Sequence, residues 1–228
     1  VQDMDWAAQE SAYVHGTSSE AAGDPSPATA IGVISGIEAA VRYKLGRDDL
    51  AGLTVAIQGI GHVGFDLARR LHKRGVRLII ADVDPSAVQA CVDELGAEAV
   101  GIDQIVATKA DVFAPCALGA VFDDQSIPGL ACDIVAGSAN NQLREDRHGT
   151  ALKERGILYA PDYVINGGGI IWVADALTDG YHPDRANQRL HHIADVLEEI
   201  FQRSDSENRA TNDIADTLAR DRIAAAGR

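Results

Sequence analysis

The sequence has few of the residues that crosslink chains or bind metals. It contains only three cysteines in 228 residues, Cys91, Cys116 and Cys132, at wide spacing and without a CxxC pair. This pattern argues against a disulfide framework and against a metal cluster, and no metal is expected. Free thiols are typical of a reducing compartment, so we expect a cytoplasmic protein.

Cations and long apolar runs are also scarce. Lys and Arg number 20 against 34 Asp and Glu, which gives a net charge of -14. A chain of this charge repels phosphate backbones and anionic membranes, so we expect neither nucleic acid nor membrane as a partner. No apolar run approaches the ~20 residues of a membrane span. The only methionine is Met4, and a start at Val1 predicts a fragment or a processed product.

Short apolar runs alternate with helical segments from residue 53 onward. The predicted strands cover residues 53–57, 77–81, 99–102, 111–114, 133–136 and 157–160. One predicted helix begins with Ser26 as its cap and ends at Gly46. The other predicted helices cover residues 3–14, 63–74, 86–95, 185–203 and 212–222. This alternation is typical of an α/β fold, a doubly wound, Rossmann-type, mostly parallel sheet with flanking helices and C-terminal helices. The apolar faces of the last two helices need a partner that could lie outside the alternating region.

A GxGxxG turn at residues 59–64 follows the first predicted strand and opens a helix. The second strand ends in Asp82, which completes the context of a dinucleotide site. Its glycines let backbone amides approach a pyrophosphate at a helix N-terminus. The loop residues expected to contact the cofactor are Gly59, Gly61, His62, Val63 and Gly64. Asp82 can accept hydrogen bonds from the ribose hydroxyls and would repel a 2′-phosphate. This favours NAD over NADP as the cofactor. The alternative is a glycine-rich turn that binds nothing, with Asp82 as a solvated strand end.

Three further segments, at 114–119, 136–141 and 160–169, lie at predicted strand ends. Ligands of open α/β sheets bind beyond these carboxyl ends. Small residues there let the backbone approach a flat ring, and Asn140, Asn141 and Asn166 can both donate to and accept from a carboxamide. The alternative is that these asparagines are only turn residues.

These motifs together resemble the Glu/Leu/Phe/Val dehydrogenase superfamily, most closely its leucine, valine and phenylalanine branch. The match is carried by PSPATA at 25–30, GIGHVG at 59–64, APCALG at 114–119, VAGSANNQLREDRHG at 135–149 and GILYAPDYVINGGGII at 156–171. The resemblance implies NAD-dependent oxidative deamination of a branched-chain or aromatic L-amino acid to the 2-oxo acid and ammonia. It also implies a homo-oligomer when the protein is full length.

The resemblance also implies roles for single residues. Thr29 and Asn140 would hold the nicotinamide carboxamide, and Asn166 would orient the α-amino or carboxylate group of the substrate. The remaining expected cofactor contacts are Ala114, Pro115, Cys116, Ala136, Ser138 and Asn166 itself. We interpret Cys116 as structural, because hydride transfer needs no thiol nucleophile. We also interpret His148 as structural, because it lies at an acidic helix start.

The family's catalytic lysines and its acid–base aspartate are expected upstream of Val1, so no catalytic residue is assigned within this chain. Residues 1–180 would then form the NAD-binding domain with its connecting helices. Residues 181–228 would form helices that return toward an N-terminal substrate domain. Two departures from the family pattern are Gly167, where alanine is common, and Trp172, where a smaller polar residue is common. A stand-alone, non-catalytic NAD-binding module is the alternative.

Overall fold

The fold is a six-stranded parallel sheet covered by helices. The computed structural model describes residues 2–11, 14, 17, 24–179 and 182–227. Its strands are β1 (Thr54–Gln58), β2 (Arg77–Ala81), β3 (Glu98–Ala99), β4 (Val112–Pro115), β5 (Ile134–Val135) and β6 (Leu158–Tyr159). Their order is β3-β2-β1-β4-β5-β6, and every pairing between them is parallel. This order reverses beside β1, which confirms the doubly wound α/β prediction.

Strand composition follows from burial on both faces of the sheet. Ile57, Ile80 and Val112 are fully buried, as expected for parallel strands between two helical layers. The predicted strand at 99–102 is shifted, because only Glu98 and Ala99 pair with β2. The predicted strands at 133–136 and 157–160 are likewise longer than β5 and β6, since only two residues of each pair with a neighbour.

The helices surround this sheet. They are α1 (Gln2–Ala7), α2 (Ser26–Leu45), α3 (His62–His72), α4 (Pro85–Leu95), α5 (Arg147–Glu154), α6 (Asp162–Ile165), α7 (Gly168–Asp179), α8 (Pro183–Ser206) and α9 (Thr211–Ala226). The predicted helices at 63–74, 86–95, 185–203 and 212–222 correspond to α3, α4, α8 and α9 with shifted ends. The predicted first helix ends at Ala7 and not at residue 14. Residues 16–23, a polar stretch, lie outside the described residues apart from Thr17.

The start of α2 differs from the sequence prediction by one position. Ser26 is the first helical residue and not the cap. Its backbone N–H donates to Asp24 Oδ1 at 2.9 Å. The aspartate side chain, and not that of the serine, therefore accepts a backbone N–H at the start of this helix. The predicted end is confirmed, because Gly46 adopts a left-handed φ of 64°.

Helix α8 packs against α2, which precedes the alternating strands and helices along the chain. Its inner face, with Ile193, Leu197, Ile200 and Phe201, is buried in the same core as α2. Arg42 of α2 bonds Glu198 at 2.7 Å, and the Tyr43 hydroxyl donates to Asp205 at 2.6 Å. Helix α2 thereby joins α8 to the sheet. The division of the chain into two domains at residue 180 remains a prediction.

Candidate functional site

The glycine loop after β1 combines two packed glycines with one open glycine. A Cβ on Gly59 would lie 2.7 Å from the Ala117 nitrogen, and φ there is +97°. A Cβ on Gly64 would lie 2.0 Å from the Gly59 oxygen, so α3 packs directly on the loop. A Cβ on Gly61, by contrast, would meet no atom within 4 Å. The middle glycine therefore leaves its backbone accessible, as a phosphate-binding turn requires.

The open side of this loop faces a cleft of about 650 Å³. The cleft lies between the loop and the N-termini of α2 and α4. Its lining comprises Asp24, Ser26, Pro27, Ile60, Gly61, His62, Phe65, Arg69, Asp84, Ser86, Ala87, Ala90 and Glu94. The first amides of a helix have no partner inside the helix, so the start of α3 presents donors and partial positive charge here. His62 is exposed at this start, whereas Val63 packs against the core.

Asp82 lies at the end of β2, directly beside the loop. Its Oδ2 accepts the Ile60 N–H at 2.5 Å, and its Oδ1 accepts the Asp84 N–H at 2.8 Å. The carboxylate therefore holds the glycine loop in place, a role that the sequence did not reveal. It also fixes a negative charge at the strand end where the adenosine ribose is expected.

Asn140 and Asn166, each predicted at a strand end of the sheet, are in direct contact. Asn166 Nδ2 donates to Asn140 Oδ1 at 2.6 Å and lies 3.3 Å from the Ser138 oxygen. They follow β5 and β6 and stand at the carboxyl edge of the sheet. Thr29 of α2 lies beside Gly169, three residues after Asn166, since a Cβ on Gly169 would lie 2.8 Å from the Thr29 Oγ1. Its hydroxyl bonds the Pro25 oxygen at 3.1 Å.

Two residues beneath the asparagine pair were missed by sequence reasoning. Gln142 is fully buried, and its Nε2 donates to the oxygens of Gly137 and Ala139 at 3.0 and 2.9 Å. Its backbone N–H donates to Asp162 Oδ2 at 2.7 Å. A glutamine within a loop motif and an aspartate after Pro161 both look like surface turn residues. Only their burial shows otherwise.

Three of the expected cleft residues are buried in or directly after the strands. Ala114 and Ala136 are 0% exposed, so their side chains support the cleft from below and do not line it. Pro115 is also buried, and its oxygen accepts the Ala139 N–H at 2.9 Å. Burial raises the pKa of the Cys116 thiol, which also bonds Ser138. A neutral thiol fits the structural interpretation of Cys116.

The other conspicuous features lie away from this edge. A cavity of about 810 Å³ lies at the amino ends of the strands, lined in part by Thr54, Arg77 and Asp111, where sheets of this class rarely bind ligands. His148 is buried at the start of α5 and accepts the Glu145 N–H at 3.0 Å, which supports a structural role.

All three cysteines are free thiols. Within the described residues no His, Cys, Asp and Glu cluster could hold a metal ion. No helix in that part of the chain has the length and apolarity to cross a membrane.

Comparison with known proteins agrees with this geometry. The sequence profile of the Glutamate/Leucine/Phenylalanine/Valine dehydrogenase family matches residues 86–228. The chain belongs to this family. It is 47% identical over 225 residues to leucine dehydrogenase of Geobacillus stearothermophilus, covering 98% of this chain and 61% of that protein. It is 41% identical to phenylalanine dehydrogenase of Thermoactinomyces intermedius, over 88% of this chain and 55% of that protein.

The fold comparison points the same way. The crystal structure of L-tryptophan dehydrogenase from Nostoc punctiforme matches with a TM-score of 0.87 and 42% identity. That match covers 90% of this chain and 63% of the solved chain. This member of the dehydrogenase family therefore spans about three fifths of the length of the relatives that it matches.

Proposed function

We propose that this chain is the cofactor-binding part of an NAD-dependent dehydrogenase. The enzyme would oxidatively deaminate a branched-chain or aromatic L-amino acid to the 2-oxo acid and ammonia. The observation that carries the proposal is the 2.6 Å contact between Asn166 and Asn140, at the same sheet edge as the open backbone of Gly61. The names of the relatives, leucine, phenylalanine and tryptophan dehydrogenases, support the substrate class.

The residues present fit a dinucleotide. When bound, NAD supplies the acceptor for the hydride that leaves the substrate Cα. The amides around Gly61 and the start of α3 would hold the pyrophosphate, and Asp82 would accept from the ribose hydroxyls. Thr29, Asn140 and Asn166 would fix the carboxamide, and Asn166 would also meet the substrate's amino or carboxylate group.

The cofactor is NAD rather than NADP in this proposal. A 2′-phosphate would stand beside the fixed carboxylate of Asp82, and like charges at close range cost binding energy. The nearest cation lining the cleft, Arg69, already bonds Glu94 at 2.5 and 2.7 Å.

The proton-transfer groups are proposed to come from outside this chain. Its four lysines, all within the described residues, are Lys44, Lys73, Lys109 and Lys153, and none lines the cleft beside Gly61. Lys109 lies at the amino ends of the strands, and Lys153 bonds the Ser204 oxygen at 3.2 Å. The coverage of only 61% of the leucine dehydrogenase supports a further substrate domain. Helices α8 and α9 would face it in a cytoplasmic homo-oligomer.

The test compares the gene product that contains this chain with the chain alone. Each is mixed with NAD and L-leucine, L-valine, L-phenylalanine or L-tryptophan at alkaline pH, and NADH absorbance is followed. We expect turnover by the longer product and none by the 228-residue chain. Loss of acid–base groups alone removes ~10²–10⁴ in rate, and lost substrate positioning lowers it further.

The alternative is a stand-alone NAD-binding module, which the absence of a lysine from the described cleft favours. Turnover by the longer product would exclude it. NAD binding without turnover by either protein on the whole panel would favour the module and contradict the enzyme. Turnover by the 228-residue chain would show that the proton-transfer groups are inside it.

A further inference from the structure

We infer that Gln142 and Asp162 form a buried positioning pair that sets the Asn140–Asn166 contact for the nicotinamide end of the cofactor. The inference rests on the proposed function. Neither side chain reaches the cleft, since Gln142 is 0% and Asp162 is 6% exposed. Both act through other residues, so they are positioning residues and not catalytic ones.

Gln142 fixes the backbone of the segment that carries Asn140. Both amide protons of its side chain are used, on the oxygens of Gly137 and Ala139, which flank Ser138. The backbone around Ser138 and Asn140 is therefore clamped from below. Ser138 oxygen is itself a partner of Asn166 Nδ2.

Asp162 fixes the segment that carries Asn166. It begins the single turn of α6, and its backbone oxygen accepts the Asn166 N–H at 2.9 Å at the other end of that turn. Its carboxylate accepts the Gln142 N–H at 2.7 Å and the Tyr163 N–H at 2.8 Å. One residue thus ties together the loops after β5 and β6.

This linkage explains why a charge is buried here. The two asparagines come from different strand ends, and nothing in the parallel ladder beyond β5 and β6 fixes their separation. A carboxylate that accepts backbone N–H groups makes strong, directional bonds in a protein interior. The pair therefore sets where the amides of Asn140 and Asn166 point, whereas none of its own hydrogen bonds goes to the glycine loop at residues 59–64.

The experiment separates the two ends of the cofactor. The 228-residue chain and its Gln142→Met variant are titrated with NAD and with ADP-ribose, which lacks nicotinamide. Saturation transfer from protein to the nicotinamide and adenine protons of NAD is measured by NMR. Methionine keeps the side-chain volume and removes both donors.

We expect the nicotinamide signal to fall at least about threefold relative to adenine, because two buried hydrogen bonds are lost. ADP-ribose affinity should stay within about twofold of wild type. The control is Asn212→Ala, which removes another buried amide, bonded to the Asp146 oxygen at 3.1 Å, on α9. It should leave both signals unchanged.

An unchanged nicotinamide-to-adenine ratio in folded Gln142→Met would overturn the inference, as would an equal fall at both ends. If that variant does not fold, the isosteric Asp162→Asn decides by the same ratio, which should fall in the same direction. Failure of the wild-type chain to bind either NAD or ADP-ribose would contradict the proposed function itself, and the inference with it.

Discussion

Gly61 is the residue on which the proposed cofactor binding should depend most. Its φ of -75° is accessible to any L-residue, and its Cβ direction is free of protein atoms. Gly61→Val should therefore leave the thermal midpoint unchanged. It should weaken NAD binding by more than about 100-fold, ~2.8 kcal/mol, because the side chain fills the space for the pyrophosphate.

The matched control is Gly59→Ala, at a φ of +97° and with a Cβ 2.7 Å from the Ala117 nitrogen. This variant should lose stability as well as binding. Calorimetric titration with NAD and thermal melts of both variants give the comparison. Normal NAD affinity in Gly61→Val would mean that the pyrophosphate does not approach this backbone.

Asp82 combines two roles that substitutions can separate. Asp82→Asn retains an oxygen for the Ile60 N–H but removes the charge, whereas Asp82→Ala removes both. We expect wild type to prefer NAD over NADP by at least about tenfold, ~1.4 kcal/mol. Asp82→Asn should lose most of that preference with little change in NAD affinity. Asp82→Ala should lower the affinity for NAD as well.

Titration of each variant with both cofactors checks this expectation. Equal NAD and NADP affinity in the wild-type chain would contradict the role of the Asp82 charge. The sequence singled out this residue because an acidic strand end 18 residues after the glycine loop is typical of dinucleotide sites. It could not reveal the bond to Ile60, which depends on where the loop folds back.

At the scale of elements, close approach between α2 and α7 depends on Gly168. A Cβ there would lie 2.3 Å from the backbone oxygen of Ala28, which cannot move without shifting α2. Gly168→Ala should destabilise the fold by about 1–3 kcal/mol through overpacking. Because Thr29 follows Ala28, NAD affinity should fall as well.

The neighbouring Gly167→Ala is the control, since its Cβ would lie 3.2 Å from the Val164 oxygen and 4.0 Å from the Tyr163 oxygen. Its effect on unfolding free energy should stay within about 0.5 kcal/mol. Urea unfolding of both variants measures the difference. A Gly168→Ala variant as stable as wild type would show that α2 and α7 are not held at this distance.

The sequence predicted element types better than element ends. Apolar runs identified all six strands, but pairing ends after two residues in β3, β5 and β6, and a run of apolar letters does not show where a partner stops. The sequence likewise showed that α8 needs an apolar partner, but not that α2 supplies it. Helix α2 is apolar on nearly all sides, so its hydrophobic periodicity did not show which face would pack against α8.

At the scale of the whole molecule, the glycine loop, Asp82, Asn140 and Asn166, which we propose to contact the cofactor, all follow the carboxyl ends of strands at one edge of the sheet. Sequence motifs brought Asn140, Asn166 and the glycine loop to that edge, because parallel strands end together. The positioning pair of Gln142 and Asp162 could not be predicted from the sequence, since both residues are polar and only the packing of the loops buries them.

The most direct test of this account is calorimetric titration of NAD into the purified 228-residue chain, without substrate. The cradle at Gly61, the carboxylate of Asp82 and the asparagine pair all lie within this chain. We therefore predict saturable binding at one site per chain, abolished by Gly61→Val. The absence of binding, or binding that survives in Gly61→Val, would contradict the assignment of this edge as the cofactor site.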